Sequence, residues 1–219
     1  MGVLLLLRHA QGSMGTADYD RLSELGGEQA RLAGARLARA GLSISQVWCG
    51  GLARQQETAR LVLAELGRPP SDLRTDVRLD EYDHLGVLAA SAAGDPFASA
   101  TTPASRGAVQ QALDEALGRW IRGGTGYPEP HRAFTARVQA AVATLVARPG
   151  ATLAITSAGV IAVACAQLTG LPADRWPALA RVTVNASITK LVTGSTGTHL
   201  LTFNDHAHLE GDRSLITYR

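Results

Sequence analysis

Arg8 and His9 are the two neighbours in this chain whose side chains could do chemistry together, and the apolar run Val3–Leu7 leads straight into them. A guanidinium presents a planar fork of donors that matches phosphate oxygens. A neutral imidazole beside it can act as a nucleophile. Together they suit capture and transfer of a phosphoryl group. The plainer reading is that the pair only closes a strand at the surface, and the dipeptide alone leaves both readings open.

What must position them is a strand buried on both faces. Five consecutive apolar residues with no alternation read as a strand of a parallel sheet. Open α/β sheets bind ligands beyond the carboxyl ends of such strands, where Arg8 and His9 fall. Strand and helix signals alternate further on. Ser23 reads as an N-cap, with apolar positions from Leu25 to Ala38 and Gly41 as the stop. Ile44–Cys49 reads as a strand, and Leu52–Leu66 as a helix ending at Gly67 before Pro69 and Pro70. Thr152–Thr156 reads as a strand and Val160–Leu168 as a helix closed by Gly170. Arg181–Val192 and Thr198–Phe203 read as a hairpin joined by Thr193–Gly197. The expected class is α/β, a mostly parallel sheet with helices on both faces.

Between Glu81 and Pro130 that rhythm breaks. Ala89–Thr102 is rich in Ala, Ser, Gly and Thr and reads as a loop, Gln110–Ile121 as a helix, and Gly123–Gly126 as an interruption. The whole chain is expected to be a single domain, with 82–130 as an insertion or lid over the ligand end of the sheet. A simple surface excursion is the alternative.

Bulk properties narrow the partners. The 219 residues suffice for one well-filled core. A net charge of +2, with basic residues dispersed, gives no reason to expect a nucleic-acid partner. Cys49 and Cys165 lie far apart in apolar segments and read as buried thiols, with no zinc-type spacing. The opening apolar run is too short for a signal peptide, and no stretch is long enough to span a membrane. A soluble cytoplasmic protein with neither metal nor cofactor is expected; oligomeric state is open.

Several segments occur together in a recognisable order: Leu4–Gln11; Leu22–Gly26 followed by Gln29-Ala30; Val47–Ala59; Leu79–Tyr82; and Ile155–Ile161. In this the chain resembles the histidine phosphatase superfamily, the phosphoglycerate mutase-like fold shared with many phosphatases. The resemblance implies that His9 forms a transient phosphohistidine and that Arg8 and Arg54 clamp the phosphoryl oxygens. It makes Glu81 the general acid for the leaving alkoxide, which requires a raised pKa, from burial or from neighbours such as Asp80 and Asp83. By residue type alone, Arg54 could be a solvated helix-face arginine, and the Asp80–Asp83 cluster an ordinary acidic loop. Gln11 and Ser13 could donate to phosphate from the loop after His9. Ala10 and Gly15 depart from the glycine and asparagine usual in relatives.

The resemblance also implies a second histidine where this chain has Ser157. A serine, with the backbone N–H groups of a helix start, can hold an anion but carries no charge. His84, His206 and His208 are candidates to fill the gap, with structural capping the plainer reading for the last two. The expected activity is metal-independent hydrolysis of a small phosphorylated substrate. A pseudo-phosphatase that binds a phosphorylated ligand or partner is the alternative, and a phosphoglycerate mutase-type phosphotransferase ranks last. A Ser157→His substitution is expected to raise turnover.

Overall fold

Every apolar residue of the opening run finds a face of the sheet to bury. In the computed structural model, which describes residues 2–13, 20–91 and 103–218, strand β1 is Gly2–Arg8. Leu4 and Leu6 enter one hydrophobic cluster, and Leu5 and Leu7 enter another on the opposite face. This period of two explains why no polar residue is tolerated from Leu4 to Leu7.

Six strands form one sheet: β1, β2 (Ile44–Cys49), β3 (Leu73–Thr75), β4 (Ala151–Thr156), β5 (Ile188–Gly194) and β6 (Gly197–Asp205). Their order is β3-β2-β4-β1-β5-β6. β1, β2, β3 and β4 pair in parallel, and β5 runs antiparallel to both β1 and β6. The sheet is thus mixed and mostly parallel, with helices on both faces, as expected. β4 lies between β2 and β1, so the chain reverses its progress across the sheet there. The register sets Arg8 opposite Thr156, which aligns the carboxyl ends of β1 and β4.

Helices α1 (Glu24–Arg39) and α2 (Ala53–Glu65) cover the face carrying Leu5 and Leu7. Ser23 caps α1, accepting from Gly26 N–H at 3.0 Å. Gly34 lets the two helices close together: a Cβ there would lie 2.7 Å from that of Glu65. The other face is covered by α5 (His131–Val146) and α6 (Ala158–Thr169), with α4 (Pro103–Ile121) and α7 (Trp176–Val182) packed outside. Ala158 to Ala166 are all buried, so α6 is apolar around its whole circumference and runs through the core.

Two expectations are revised. The run expected as a strand from Arg181 divides: α7 reaches Val182, and β5 begins only at Ile188. Pro177 sits in the first turn of α7 and favours helix there. Thr183, Asn185 and Ser187 are buried polar residues of a loop, not outward-facing strand positions. The region expected as a loop from Ala89 is partly helical, since α3 spans His84–Ala90; residues 92–102 lie outside those described. The expected helix from Gln110 begins earlier, at Pro103. Its buried Ala116, Leu117 and Trp120 join the core, which ties α4 to the body of the fold.

Candidate active site

Three chain reversals meet at the carboxyl ends of β1, β2 and β4. His9 N–H donates to the Thr156 carbonyl at 2.8 Å, which fixes the first residue beyond β1 against the last of β4. His9 is buried, and its Nδ1 lies 2.8 Å from the Ala10 carbonyl. A carbonyl only accepts, so Nδ1 carries the proton and Nε2 keeps its lone pair. That lone pair accepts from Arg54 Nε–H at 3.2 Å. Burial, with Arg54 and then Arg8 nearby, holds the imidazole well below the usual histidine pKa of 6.5. His9 is therefore held in its neutral form, with the Nε2 lone pair turned toward Arg54.

Arg54 lies in the first turn of α2 and is buried, not solvated. Its Nη1 also meets Asp20 Oδ1 at 2.6 Å, while Asp20 Oδ2 accepts from Ala53 N–H at 2.8 Å. One carboxylate thus bridges a guanidinium and a helix N-terminus, the donor set that suits an anion. Thr58 fastens this helix to the loop: its hydroxyl donates to the Arg54 carbonyl at 2.7 Å and accepts from Ala10 N–H at 3.1 Å. Arg8 is oriented by the 183–218 segment, its Nη1 donating to the carbonyls of Thr183 and Tyr218. Asn185 Nδ2 donates to the His9 carbonyl at 3.2 Å from the same side.

Glu81 closes the far wall. Its Oε2 accepts from Gly159 N–H at 3.0 Å, at the start of α6, and its Oε1 from Tyr82 N–H at 3.2 Å. A Cβ on residue 159 would collide with that carboxylate, so the close approach needs glycine. Burial raises the Glu81 pKa, opposed by the Gly159 N–H, Arg54 and Arg8. The acidic neighbours do not cause the rise. Asp80 is turned to Gly51 N–H, and Asp83 caps α3 through Gly86 N–H at 2.8 Å.

Ser157 is fully buried at the N-cap of α6, and its hydroxyl accepts from Gln55 Nε2 at 2.9 Å. Gln11 and Ser13 are engaged in holding the entry to α1: Gln11 Oε1 accepts from Ser23, and the Ser13 hydroxyl donates to the Leu22 carbonyl. Gly15 lies outside the described residues. His206 Nδ1 meets the Asn204 carbonyl at 2.6 Å, and His208 Nε2 the Ala186 carbonyl at 3.0 Å. His84 opens α3. None of these three lines the cavity of about 150 Å³ beside Arg8, Glu81 and Gly159. Among the described residues no group of His, Cys, Asp and Glu side chains is arranged to hold a metal ion, and no helix is long and apolar enough to cross a membrane.

The sequence reading missed Asp20, Gln55, Thr58 and Asn185. Gln55 and Thr58 follow Arg54 by one and four positions on α2, a spacing compatible with one buried face. Asn185 lies among Thr183, Val184, Ala186 and Ser187, a mixed run that gives no signal of its role.

Comparison with known proteins agrees with this fold. The family model described as the histidine phosphatase superfamily (branch 1) matches residues 4–206. A 2,3-bisphosphoglycerate-dependent phosphoglycerate mutase of Rhizobium etli is 34% identical over 90 residues, covering 38% of this chain and 42% of that protein. The chain thus spans about two fifths of the length of the curated relatives it matches. A mycobacterial glucosyl-3-phosphoglycerate phosphatase, solved with inorganic phosphate, is 27% identical with a TM-score of 0.64. That likeness covers 94% of this chain and 98% of the other. A phosphoserine phosphatase of Entamoeba histolytica, 16% identical with a TM-score of 0.65 and covering 95% and 100% of the two chains, shares the fold.

Proposed function

This chain belongs to the histidine phosphatase superfamily, and from that premise we propose that it hydrolyses phosphomonoesters through a phosphohistidine on His9. In the first step Nε2 attacks phosphorus while the ester P–O bond breaks, and protonated Glu81 gives its proton to the leaving oxygen. Nδ1 keeps its proton, held on the Ala10 carbonyl, which stabilises the imidazolium character of the intermediate. In the second step water attacks phosphorus, Glu81 accepts its proton and the P–N bond breaks, releasing inorganic phosphate. Arg8 and Arg54 neutralise the equatorial oxygens, Arg54 exchanging Asp20 and the His9 lone pair for phosphate.

The observation that carries this reading is the tautomer of His9 opposite a buried carboxyl of raised pKa. Nucleophile and leaving-group acid need just these opposite perturbations. Gln11 and Ser13 serve as supports of the loop that bears His9, and Ser157 as a buried neutral hydroxyl at the start of α6. The reaction needs no metal ion in this scheme, and residues 82–130 act as the cover of the site, with α4 forming its described wall. A second reading, binding of a phosphorylated ligand without turnover, draws on the neutral and fully buried Ser157. Hydrolysis of an aryl phosphate with chelator present, compared with the His9→Ala variant, tests the first against the second. Turnover lost on His9→Ala supports hydrolysis. Turnover absent from both proteins, with phosphate still bound, supports the second.

A further inference from the structure

The loop between α7 and β5 holds the Arg8–His9 dipeptide from both ends. The Thr183 carbonyl accepts from Arg8 Nη1, and the Ser187 carbonyl accepts from the Arg8 backbone N–H at 3.0 Å. Between them, Asn185 Nδ2 and the Ala186 N–H both donate to the His9 carbonyl, at 3.2 and 3.4 Å. One short segment, fully buried from Thr183 to Ser187, thus sets the backbone of both side chains.

Local preference does not give that segment its shape. Ala186 has a φ of +59°, in the left-handed region that disfavours any residue bearing a Cβ. Such a conformation persists only where surrounding bonds over-determine it. Two side chains at the end of β6 and beyond it supply those bonds. Asn204 pins the start of the loop, its Oδ1 accepting from Val184 N–H at 2.8 Å and its Nδ2 donating to the Val182 carbonyl at 2.8 Å. His208 pins Ala186 itself, with Nε2 3.0 Å from the Ala186 carbonyl. A carbonyl only accepts, so Nε2 carries the proton and Nδ1 is left as an acceptor. Nδ1 is buried with no hydrogen-bond partner among the described residues. The bond that the ring does make falls on the strained residue.

Given the hydrolase reading above, on which the inference rests, we infer that His208 is a positioning residue for phosphoryl transfer. It holds Ala186 in the left-handed conformation, and Ala186 with Asn185 holds the carbonyl of the nucleophile. His208 touches none of the reacting atoms. It does not stand in for an imidazole at Ser157; it fixes the backbone behind His9.

Two variants separate this role from mere packing. His208→Ala removes the bond, His208→Gln keeps an N–H of similar reach, and both lose the ring. With a phosphomonoester, His208→Ala should lower kcat about 10-fold or more and leave KM within about 2-fold, since Asn204 still fixes the Thr183 end that orients Arg8. His208→Gln should recover kcat to within about 3-fold of the unsubstituted protein, although its Tm falls as that of His208→Ala does. Solvent exchange of the Ala186 amide proton, read by NMR without substrate, should quicken about 10-fold or more in His208→Ala and return toward the original rate in His208→Gln. Equal losses of kcat in the two variants, in step with Tm, would make the ring a stabilising contact and overturn the inference. An Ala186 amide unmoved by His208→Ala overturns it as well. Absence of turnover from the unsubstituted protein overturns the hydrolase reading instead, and the exchange rates still decide whether His208 holds Ala186.

Discussion

Arg54 Nε–H donates to His9 Nε2 across 3.2 Å, so the cation that should hold the phosphate rests on the lone pair that should attack it. The contact keeps the imidazole neutral, because a proton on Nε2 would face a permanent positive charge. It also aims the ring before any substrate arrives. Asp20 completes the arrangement by sitting on the same guanidinium at 2.6 Å.

Under the proposed function, Asp20 competes with phosphate for Arg54. Asp20→Asn should lower the inhibition constant of inorganic phosphate about 2–5-fold, the scale of a partly exposed ion pair. Arg54→Lys keeps the charge but loses the fork, and should weaken phosphate by about 10-fold or more. An Asp20→Asn protein that binds phosphate more weakly would assign Asp20 a supporting role instead.

The pH profile follows from two opposed shifts. His9 must be neutral to attack, so kcat/KM should rise with pH through a value well below 6.5. Glu81 must be protonated to assist departure, so activity should fall as pH rises through a value above the ordinary 4.5. Glu81→Gln should remove that alkaline fall and cost roughly 10²–10⁴-fold with an alkyl phosphate. An aryl phosphate, whose leaving group needs little protonation, should lose far less. Equal losses for both esters would argue against Glu81 as the acid.

Stability should respond to pH through the buried histidines. His9, His131 and His208 are all lowered by burial below 6.5 in the folded protein. Their contribution to stability is present above 6.5 and is lost as pH falls through the folded values. The Tm should decline below pH 6.5, and His9→Gln should make the decline shallower. An unchanged slope would mean that His9 titrates normally.

Arg137 on α5 holds the segment that presents Glu81. Its Nη1 donates to the carbonyls of Arg78 at 2.9 Å and Asp80 at 2.7 Å, its Nη2 to that of Glu81 at 3.4 Å, and Glu129 pairs with its Nε at 2.6 Å. It is a positioning residue, and no lysine can make the same set of bonds. Arg137→Lys should lower kcat for an alkyl phosphate about 10-fold or more, with a smaller loss for an aryl phosphate. Equal losses for the two esters would reduce Arg137 to a stabilising contact.

Ser157 separates two roles. Ser157→Ala removes one hydrogen bond from Gln55 Nε2, which still donates to the Leu79 carbonyl at 3.1 Å. The cost should be about 0.5–1.5 kcal/mol of stability, with kcat changed less than about 10-fold. Ser157→His places a donor that can carry charge at the start of α6. Turnover should rise by about 10-fold or more, approaching the roughly 10²–10³ that one preorganised donor contributes. A fall in both Tm and turnover would mean that the imbedded hydroxyl cannot be replaced by a ring.

Much of the scaffold is legible in the sequence because it depends on local pattern. The unbroken apolar run before Arg8 and the Ser23 cap each translate directly into β1 and the start of α1. Ile44–Cys49 and Ala151–Thr156 are likewise short runs rich in apolar and β-branched residues, bounded by turns. The loop after α7 is not legible that way, since its Val and Thr residues favour a strand until Asn185 is needed against the His9 carbonyl. Asp20, Gln55 and Arg137 escape for a similar reason. Their partners lie 34, 102 and 57 positions away, at distances only the fold can close. Glu81 sits between the cases: its place follows from the motif, but its raised pKa comes from burial, which the Gly159 N–H opposes, and not from its acidic neighbours.

The most direct test of the central claim is to trap the intermediate. The protein would be mixed with a phosphomonoester, quenched in alkali within milliseconds and digested for mass spectrometry. Phosphate on the peptide bearing His9, stable to alkali, lost in acid and absent from the His9→Ala protein, is the result this account predicts. Hydrolysis that continues in the His9→Ala protein at an undiminished rate, with no phosphorylated peptide, would contradict it.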